Sequence, residues 1–513
     1  MILTELLSQL AKLNISLSLE QGSLKCKAPV GAMNNELKLA LKSHKQEIIE
    51  YLSKQKSDTR INPVALNKVK ASFRMLDWFN AEMQGGKNYQ ITPTIVHFTQ
   101  EYQPELFDKA LRALCQRHTI LNAVFSCEQE QLHIEIDSNF SPYIRYQDMR
   151  EQAYEQADVD HVISKSLNLD CITKGKPLNE IGVPPWFAQV IELKNQEFIL
   201  VLVIDHMITD AVSSSILAEE LPLIYSAMLQ DQKADLPKLD FSVLDYCHWQ
   251  SVVYPSSDVW REGQAFWTEL YQQSEKARLT HQQTLTHEKA TSVVSFNTYL
   301  LPKVASQRFV RQIQERKISL SHALYVLTAQ CLAELTDTNN PCLGNVLAGR
   351  SMAGIERVVN NFADMYFIPV FGVKDTCFIE LAEQVASSIG KVNHYQHQEH
   401  RAFIPEHYSP GVHTEIPEPS SAFAFGMEVN TFATIETLKN AQVGKLYSHY
   451  SELDIPFEWI GIRFSEKEGY LTCSININEL HFSQNMAEQV FNLLTEKLNQ
   501  VNHDLEKQSL CFA

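Results

Sequence analysis

Residues 198–214 read Phe-Ile-Leu-Val-Leu-Val-Ile-Asp-His-Met-Ile-Thr-Asp-Ala-Val-Ser-Ser. The run Phe198 to Ile204 is too short and too uniformly apolar for a surface element, and reads as a buried strand. Polar residues then end it. Side chains alternate across a strand, so Asp205 and His206 are expected to point in opposite directions as the chain leaves the sheet. An unperturbed histidine has a pKa near 6.5 and is a neutral acceptor at cell pH. Asp210 stands where a helix can open. On spacing alone a plain N-cap and a site residue are both open readings for it.

Beyond Asp210, Leu217, Leu221, Ile224 and Met228 recur on one helical face, although Pro222 is expected to kink or break that helix. Upstream, Leu106, Ala110, Leu111 and Leu114 mark a helix that runs into Arg117-HTILNAV-Phe125. Downstream, residues 260–271 read as a further helix and Tyr470-LTCSININ-Glu479 as a late strand. Strand-like and helical segments alternate from Pro63 onward, which indicates a mixed α and β protein. A break is expected near residues 229–240, where DQKADLPK is polar and carries a proline.

The chain has 513 residues, more than one ordinary core accommodates, so two or three domains are expected. Its net charge of −17 argues against nucleic acid as a partner. Residues 1–57 depart from that balance, with eight lysines against five glutamates. Ile2, Leu3, Leu6, Leu7 and Leu10 have helical spacing. Ile15, Leu17 and Leu19 alternate with polar residues, and after Gln21-Gly22 so do Leu24 and Cys26 with Lys25 and Lys27, which predicts a hairpin with an apolar face and a partly basic one. Asn34 or Asn35 can cap a second helix carrying Leu37, Leu41, Ile48 and Leu52. A basic module on an acidic protein suits an acidic partner, and equally suits solvated lysines.

Ten cysteines lie singly, without a CxxC pair or zinc spacing, a pattern that fits a reducing, cytoplasmic setting. The N-terminus lacks a basic leader and a small-residue cleavage site, so no signal peptide is expected. No apolar run approaches the roughly 20 residues of a membrane span. GxxxxGK, GxGxxG and GxSxG are absent, Gly349-RSMA-Gly354 having the wrong spacing, and so is the LGGxS of a phosphopantetheine-bearing carrier. His394, His397 and His400 stand three apart and invite a metal reading. That spacing spreads them around a helix and lacks the i, i+4 pair, so no metal is expected.

Taken together, the motifs resemble those of condensation domains from nonribosomal peptide synthetases. Asp205-His206-Met-Ile-Thr-Asp210-Ala211 is similar to the family's HHxxxDG. Ser72-FRMLDW-Phe79 resembles its opening motif and Arg117-HTILNAV-Phe125 its RHxxLRxxF. Leu244-DYCH-Trp249, Gln264-AFWTEL, Leu347-AGRS and Val359-NNFADM follow in family order, and His397-Gln398-Glu399 looks like a degraded HQD. Residues 1–57 resemble the docking domain of tubulysin-type synthetase subunits.

This resemblance implies two chloramphenicol-acetyltransferase-like lobes in a V-shaped pseudo-dimer, at 63–235 and 236–513, behind a helix–hairpin–helix docking domain at 1–57. The implied activity is acyl transfer from one carrier protein's thioester to an amine, or secondarily a hydroxyl, on a second carrier. His206 would be the catalytic base or positioning group, and Asp210 would be structural, paired with Arg350. Lys25 and Lys27 would contact an acidic C-terminal tail of an upstream subunit. The chain itself would bind no cofactor, because phosphopantetheine arrives on the partners; neither nucleic acid nor membrane is an expected partner. Asp205 replaces the motif's first histidine and Ala211 its glycine. These departures leave two alternatives, a catalytically inactive scaffold that recruits assembly-line partners and an acyltransferase to a free soluble amine.

Overall fold

The computed structural model describes residues 6, 16–20, 23–27, 35–49, 60–83, 91–129, 131–151, 153–167, 184–272, 293–403, 425–429, 444–446, 460–467, 469–478 and 484–511. The apolar run quoted above forms the strand Glu197–Asp205, centred in a five-stranded sheet. It lies antiparallel between Ile91–Phe98 and Trp186–Leu193; the far edge, Ile144–Asp148, runs parallel to Trp186–Leu193. Continuous hydrophobicity follows from both faces being covered. Phe198, Leu200, Leu202 and Ile204 pack into one core with the helices Pro104–Arg117 and Ala211–Leu229, whereas Ile199, Val201 and Val203 pack on the other face with Val159 and Ile163 of the helix Gln156–Ser166.

Pro222 does not break the helix that follows. Ala211–Leu229 is continuous through it, with Ile216, Leu217, Leu221, Ile224 and Tyr225 all buried. Packing on several sides compensates for the hydrogen bond that the ring forgoes.

A second lobe is built on a six-stranded sheet, ordered Val293–Tyr299, Tyr470–Asn478, Ile460–Lys467, Phe425–Val429, Cys342–Leu347 and Asp364–Pro369. Leu320–Thr336, Phe378–Tyr395 and Gln484–Cys511 contribute the helical side of its core. The lobes are not separate in sequence. The division expected at 235/236 falls within the first lobe's core, which extends through Phe241, Leu244, Trp249 and Val259 and also takes in Ile355, Val358, Val359 and Phe362. Further on, Gly444–Leu446 pairs with Ile91–Phe98 as the edge strand of the first sheet. Two returns of the chain to the first lobe therefore hold the lobes side by side. Among the described residues no single helix is long and apolar enough to cross a membrane.

In the N-terminal module, Ser16–Glu20 and Ser23–Lys27 form the expected antiparallel hairpin, with Ser18 opposite Lys25. The helix Asn35–Ser43 follows, and Leu37 and Ile48 are buried. Lys25 is exposed, and so is Cys26, which the alternation had assigned to the apolar face. Of the first predicted helix only Leu6 lies within the described residues; it is helical and buried.

Arg117 and His118 anchor the first lobe through a buried carboxylate. Arg117 Nε and His118 Nε2 each lie 2.7 Å from Glu220 Oε2, and Arg357 Nη2 lies 2.7 Å from Oε1. Burial lowers the His118 pKa, so the neutral ring donates its Nε2–H. Burial alone would push the Glu220 carboxyl up, but the hydrogen bonds from His118, Arg117 and Arg357 hold it at about 2. A carboxyl held below its unfolded value stabilises fully above about pH 4.3, and the contribution is lost as pH falls from there through the folded value. Glu220→Gln leaves Arg117 without its carboxylate and Arg357 with Glu219 alone, and is expected to cost about 3 kcal/mol. Denaturant unfolding from pH 7 down to the acid limit measures both this loss and the shallower acid dependence of the variant.

Candidate active site

At the end of Glu197–Asp205 the chain turns sharply. Asp205 Oδ1 accepts the Met207 N–H at 2.7 Å, and its carbonyl accepts the Ile208 N–H at 3.1 Å. Met207 and Ile208 drop into the first core and pin the turn. Asp205 is fully buried, whereas His206 is half-buried, consistent with opposite directions for the two side chains. The carboxylate at the anomalous position thus has a local structural task, holding the backbone that carries His206.

The His206 ring is fixed on three sides. It stacks on Trp78, with ring centroids 4.8 Å apart and planes 24° from parallel. Its Nδ1 lies 2.6 Å from the Thr209 carbonyl oxygen. A carbonyl can only accept, so Nδ1 carries the proton and Nε2 keeps its lone pair. Asn361 Nδ2 donates to the His206 carbonyl at 2.6 Å and lies 3.3 Å from Nδ1. Burial lowers the ring's pKa and the Arg74 guanidinium lowers it further, against the Thr209 carbonyl and the Asp210 carboxylate, which act the other way. The ring is therefore neutral at pH 7, with its lone pair on Nε2.

Asp210 caps the helix Ala211–Leu229, its Oδ1 accepting the Ser213 N–H at 2.7 Å. The same side chain also ties the lobes. Oδ2 accepts the Phe362 N–H at 3.0 Å, and Arg350 Nη2 reaches Oδ1 at 3.0 Å and Oδ2 at 3.2 Å. Arg350 is held in turn by the carbonyls of Ile355 at 3.0 Å and Val358 at 2.7 Å and by Ser213 Oγ at 2.8 Å. Burial would raise the Asp210 pKa, but Arg350 and the N–H donors outweigh it and lower it. Ala211, first residue of the helix, is exposed, so its methyl group displaces nothing within the protein.

Around this pair lies a junction that the spacing of residues did not reveal. Arg74 Nη1 sits 3.0 Å from Asp364 Oδ1, and its Nε donates to the Ala363 carbonyl at 2.9 Å. A cavity of about 30 Å³, room for a water molecule or two, is bounded by Arg74, Asn361, Asp364, Tyr246, His397 and His400. The spaced histidines diverge within it. His397 is buried with Nδ1 3.3 Å from the Tyr246 hydroxyl, burial pushing its pKa down to about 4. His400 lies between the Tyr271 hydroxyl at 2.9 Å and Asp364 at 3.2 Å, while His394 is exposed. Among the described residues no group of three His, Cys, Asp or Glu side chains is arranged to hold a metal ion. Trp78, Arg74 and Asn361 fall within the quoted motifs, but no role for them was legible there. Their contacts with His206 and Asp364 span 128 to 290 positions along the chain and leave no local pattern.

Residues 74–509 match the condensation domain model and residues 3–54 the TubC N-terminal docking domain model. The chain belongs to the condensation domain family, carried behind a docking domain of that type. Among curated relatives, the nonribosomal peptide synthetase kk1B of Curvularia clavata is 24% identical over 319 residues, 60% of this chain and 2% of that synthetase. The chain thus corresponds to a small fraction of that multidomain protein. Among solved structures, the condensation domain of chain release from the enacyloxin polyketide synthase has a TM-score of 0.63 at 18% identity, covering 98% of this chain and 96% of that one. The cyclization-docking bidomain of EpoB from Sorangium cellulosum has a TM-score of 0.66 at 15% identity, covering 97% of each chain. These neighbours share the chloramphenicol-acetyltransferase-like fold, two lobes in a V, expected from the motifs.

Asp210→Ala removes the acceptor of three buried donors and strands the Arg350 charge. Its expected cost is about 3–5 kcal/mol. Arg350→Met should cost a similar amount, and the double variant less than the sum, because each single change leaves an unpaired buried charge that the double does not. Equilibrium unfolding of the three proteins checks this.

Proposed function

We propose that this chain condenses a carrier-bound acyl or peptidyl thioester with an amine, on an assembly line that it joins through residues 1–57. The single observation that carries the reading is the neutral His206, held with Nδ1 protonated and Nε2 bearing the lone pair at the junction of the lobes. In the step, the acceptor nitrogen attacks the thioester carbonyl while Nε2 takes its proton. The new C–N bond forms, the C–S bond breaks, and the imidazolium returns the proton to the departing phosphopantetheine thiolate. A base within hydrogen-bond reach and with a pKa near or below operating pH suits this role. Asp210 and Arg350 hold the loop, and a hydroxyl acceptor would follow the same course to an ester. Both substrates are assigned to phosphopantetheine arms of carrier proteins, and the reaction to the cytoplasm.

A second reading is favoured by one specific observation, the match along 97% of both chains to a cyclization-docking bidomain. There a side-chain nucleophile of the acceptor would close a ring onto the new carbonyl, with loss of water. Incubating the full chain with carrier-loaded donor and acceptor and reading products by intact mass separates the readings. A simple condensation product supports the first, a product one water lighter the second. His206→Ala is expected to lower the rate about 100-fold or more. Undiminished turnover in that variant would refute His206 as base, and the absence of product with every carrier pair would favour the scaffold reading. Because the base must be neutral, the wild-type rate should fall only as pH drops through a value below the ordinary histidine pKa of about 6.5.

The docking assignment rests on the family match of residues 3–54 and on an exposed Lys25 in a basic module. Lys25→Glu with Lys27→Glu should weaken transfer from an upstream subunit ending in an acidic tail, and should reduce its salt dependence, while leaving turnover on free loaded carriers intact. Coupling that survives the double charge reversal unchanged would rule out this contact.

A further inference from the structure

We propose that Asn361 is the positioning residue that sets the aim and the proton of His206, so that the segment returning from the second lobe controls the base at the end of the first lobe's strand. This inference rests on the acyl-transfer reading of His206. Asn361 belongs to the segment that follows Arg350, and its neighbour Phe362 is fixed by Asp210 through the backbone hydrogen bond at 3.0 Å. Its side chain crosses to the His206 loop, 155 residues away in the chain, and donates to the His206 carbonyl at 2.6 Å.

The donor is the part of the amide that matters. Asn361 is 1% exposed, and among the described residues its buried Oδ1 has no hydrogen-bond partner. A buried amide that leaves its acceptor unused is retained for its donor. The second consequence concerns the ring. Asn361 Nδ2 is 3.3 Å from Nδ1, close enough to donate to that nitrogen if it carried a lone pair. One of the amide's two N–H groups is held by the shorter bond to the His206 carbonyl, which fixes the backbone that presents the ring, and the Thr209 carbonyl at 2.6 Å, which can only accept, keeps the proton on Nδ1. Loss of the Asn361 bond frees the backbone on which the ring is aligned, and the alternative tautomer, with Nε2 protonated and useless as a base, becomes accessible.

Other groups fix the electrostatic setting. Arg74, on the helix Phe73–Met83, opposes protonation of the ring, and Asp210, on the loop, favours it. Trp78 covers one ring face without charge. A neutral amide at position 361 leaves that balance unaltered, whereas a carboxylate there would add an anion beside Nδ1 and stabilise the imidazolium.

The test uses the full chain with ¹⁵N-labelled histidine, the His206 signals being assigned by their loss in His206→Ala. Wild type should show a neutral ring with protonated Nδ1 and bare Nε2. Asn361→Leu should populate the Nε2–H tautomer and lower kcat about tenfold with KM for loaded carriers unchanged, a partial loss of what a positioned base supplies. Asn361→Asp should raise the ring's titration, and with it the acid limb of the rate, by about one pH unit or more. Asn361→Ser, which keeps a short donor, should restore part of the Nδ1–H signal, and serves in place of Asn361→Leu should that protein fail to fold. Wild-type ring signals in the leucine variant, or an unmoved ring titration in the aspartate variant, would overturn the proposal. If wild type itself forms no product, the function assigned above fails, while the nitrogen signals still decide the role of Asn361.

Discussion

The carboxylate of Asp210 is the point at which both lobes are fastened. Removing such a group from water costs several kcal/mol, and the cost is recovered only when its lone pairs are occupied in good geometry. Here they are, by the Ser213 N–H from the helix it caps, the Phe362 N–H from the returning segment, and the Arg350 guanidinium. Arg350 is itself anchored on two carbonyls of residues 355–358, so the segment is curled around its own arginine before it meets the aspartate. One side chain therefore starts a helix, closes a loop and docks a second lobe. The position of His206, the first residue of the loop that ends at Asp210, is a consequence.

Some of this was legible in the chain and some was not. The strand, its end at Asp205 and the cap at Asp210 follow from apolar periodicity and local hydrogen-bonding rules, which act over a few residues. The pairing of Asp210 with Arg350 came only through family resemblance, because no local rule links positions so far apart. At Pro222, expected to kink or break the helix, the break does not occur: the rule against interior proline is a local energy, and the burial of Leu217, Leu221 and Tyr225 outweighs it. The spacing of the three histidines lacks the i, i+4 pair of a metal site, and in the fold His397 and His400 turn to different phenols while His394 is exposed. Cys26 fell on the predicted apolar face and is exposed, since alternation says which residues share a face and not whether anything covers it.

Asp205 illustrates how a motif can change a residue and keep its geometry. The position faces into the protein, and the carboxylate there accepts the N–H two residues on, the interaction by which aspartate builds turns elsewhere. A histidine at the same place would need a different partner for the Met207 N–H. The substitution thus bears on the shape of the loop and leaves Nε2 of His206 untouched. Ala211 likewise adds a methyl group on the exposed side of the helix start, outside the protein's own packing.

The electrostatic character of the junction follows from the same economy. An imidazole meant to accept a proton must be neutral beforehand, yet Asp210 lies close by and favours its protonation. Two features restrain that tendency. Arg350 neutralises Asp210 at the carboxylate itself, and Arg74, held by Asp364 and the Ala363 carbonyl, faces the ring with a positive charge. Both arginines depend on the 349–364 segment for their orientation. The segment that returns from the second lobe to the first lobe's core therefore supplies no catalytic side chain in the proposed reaction, yet it orients both charges that oppose protonation of His206.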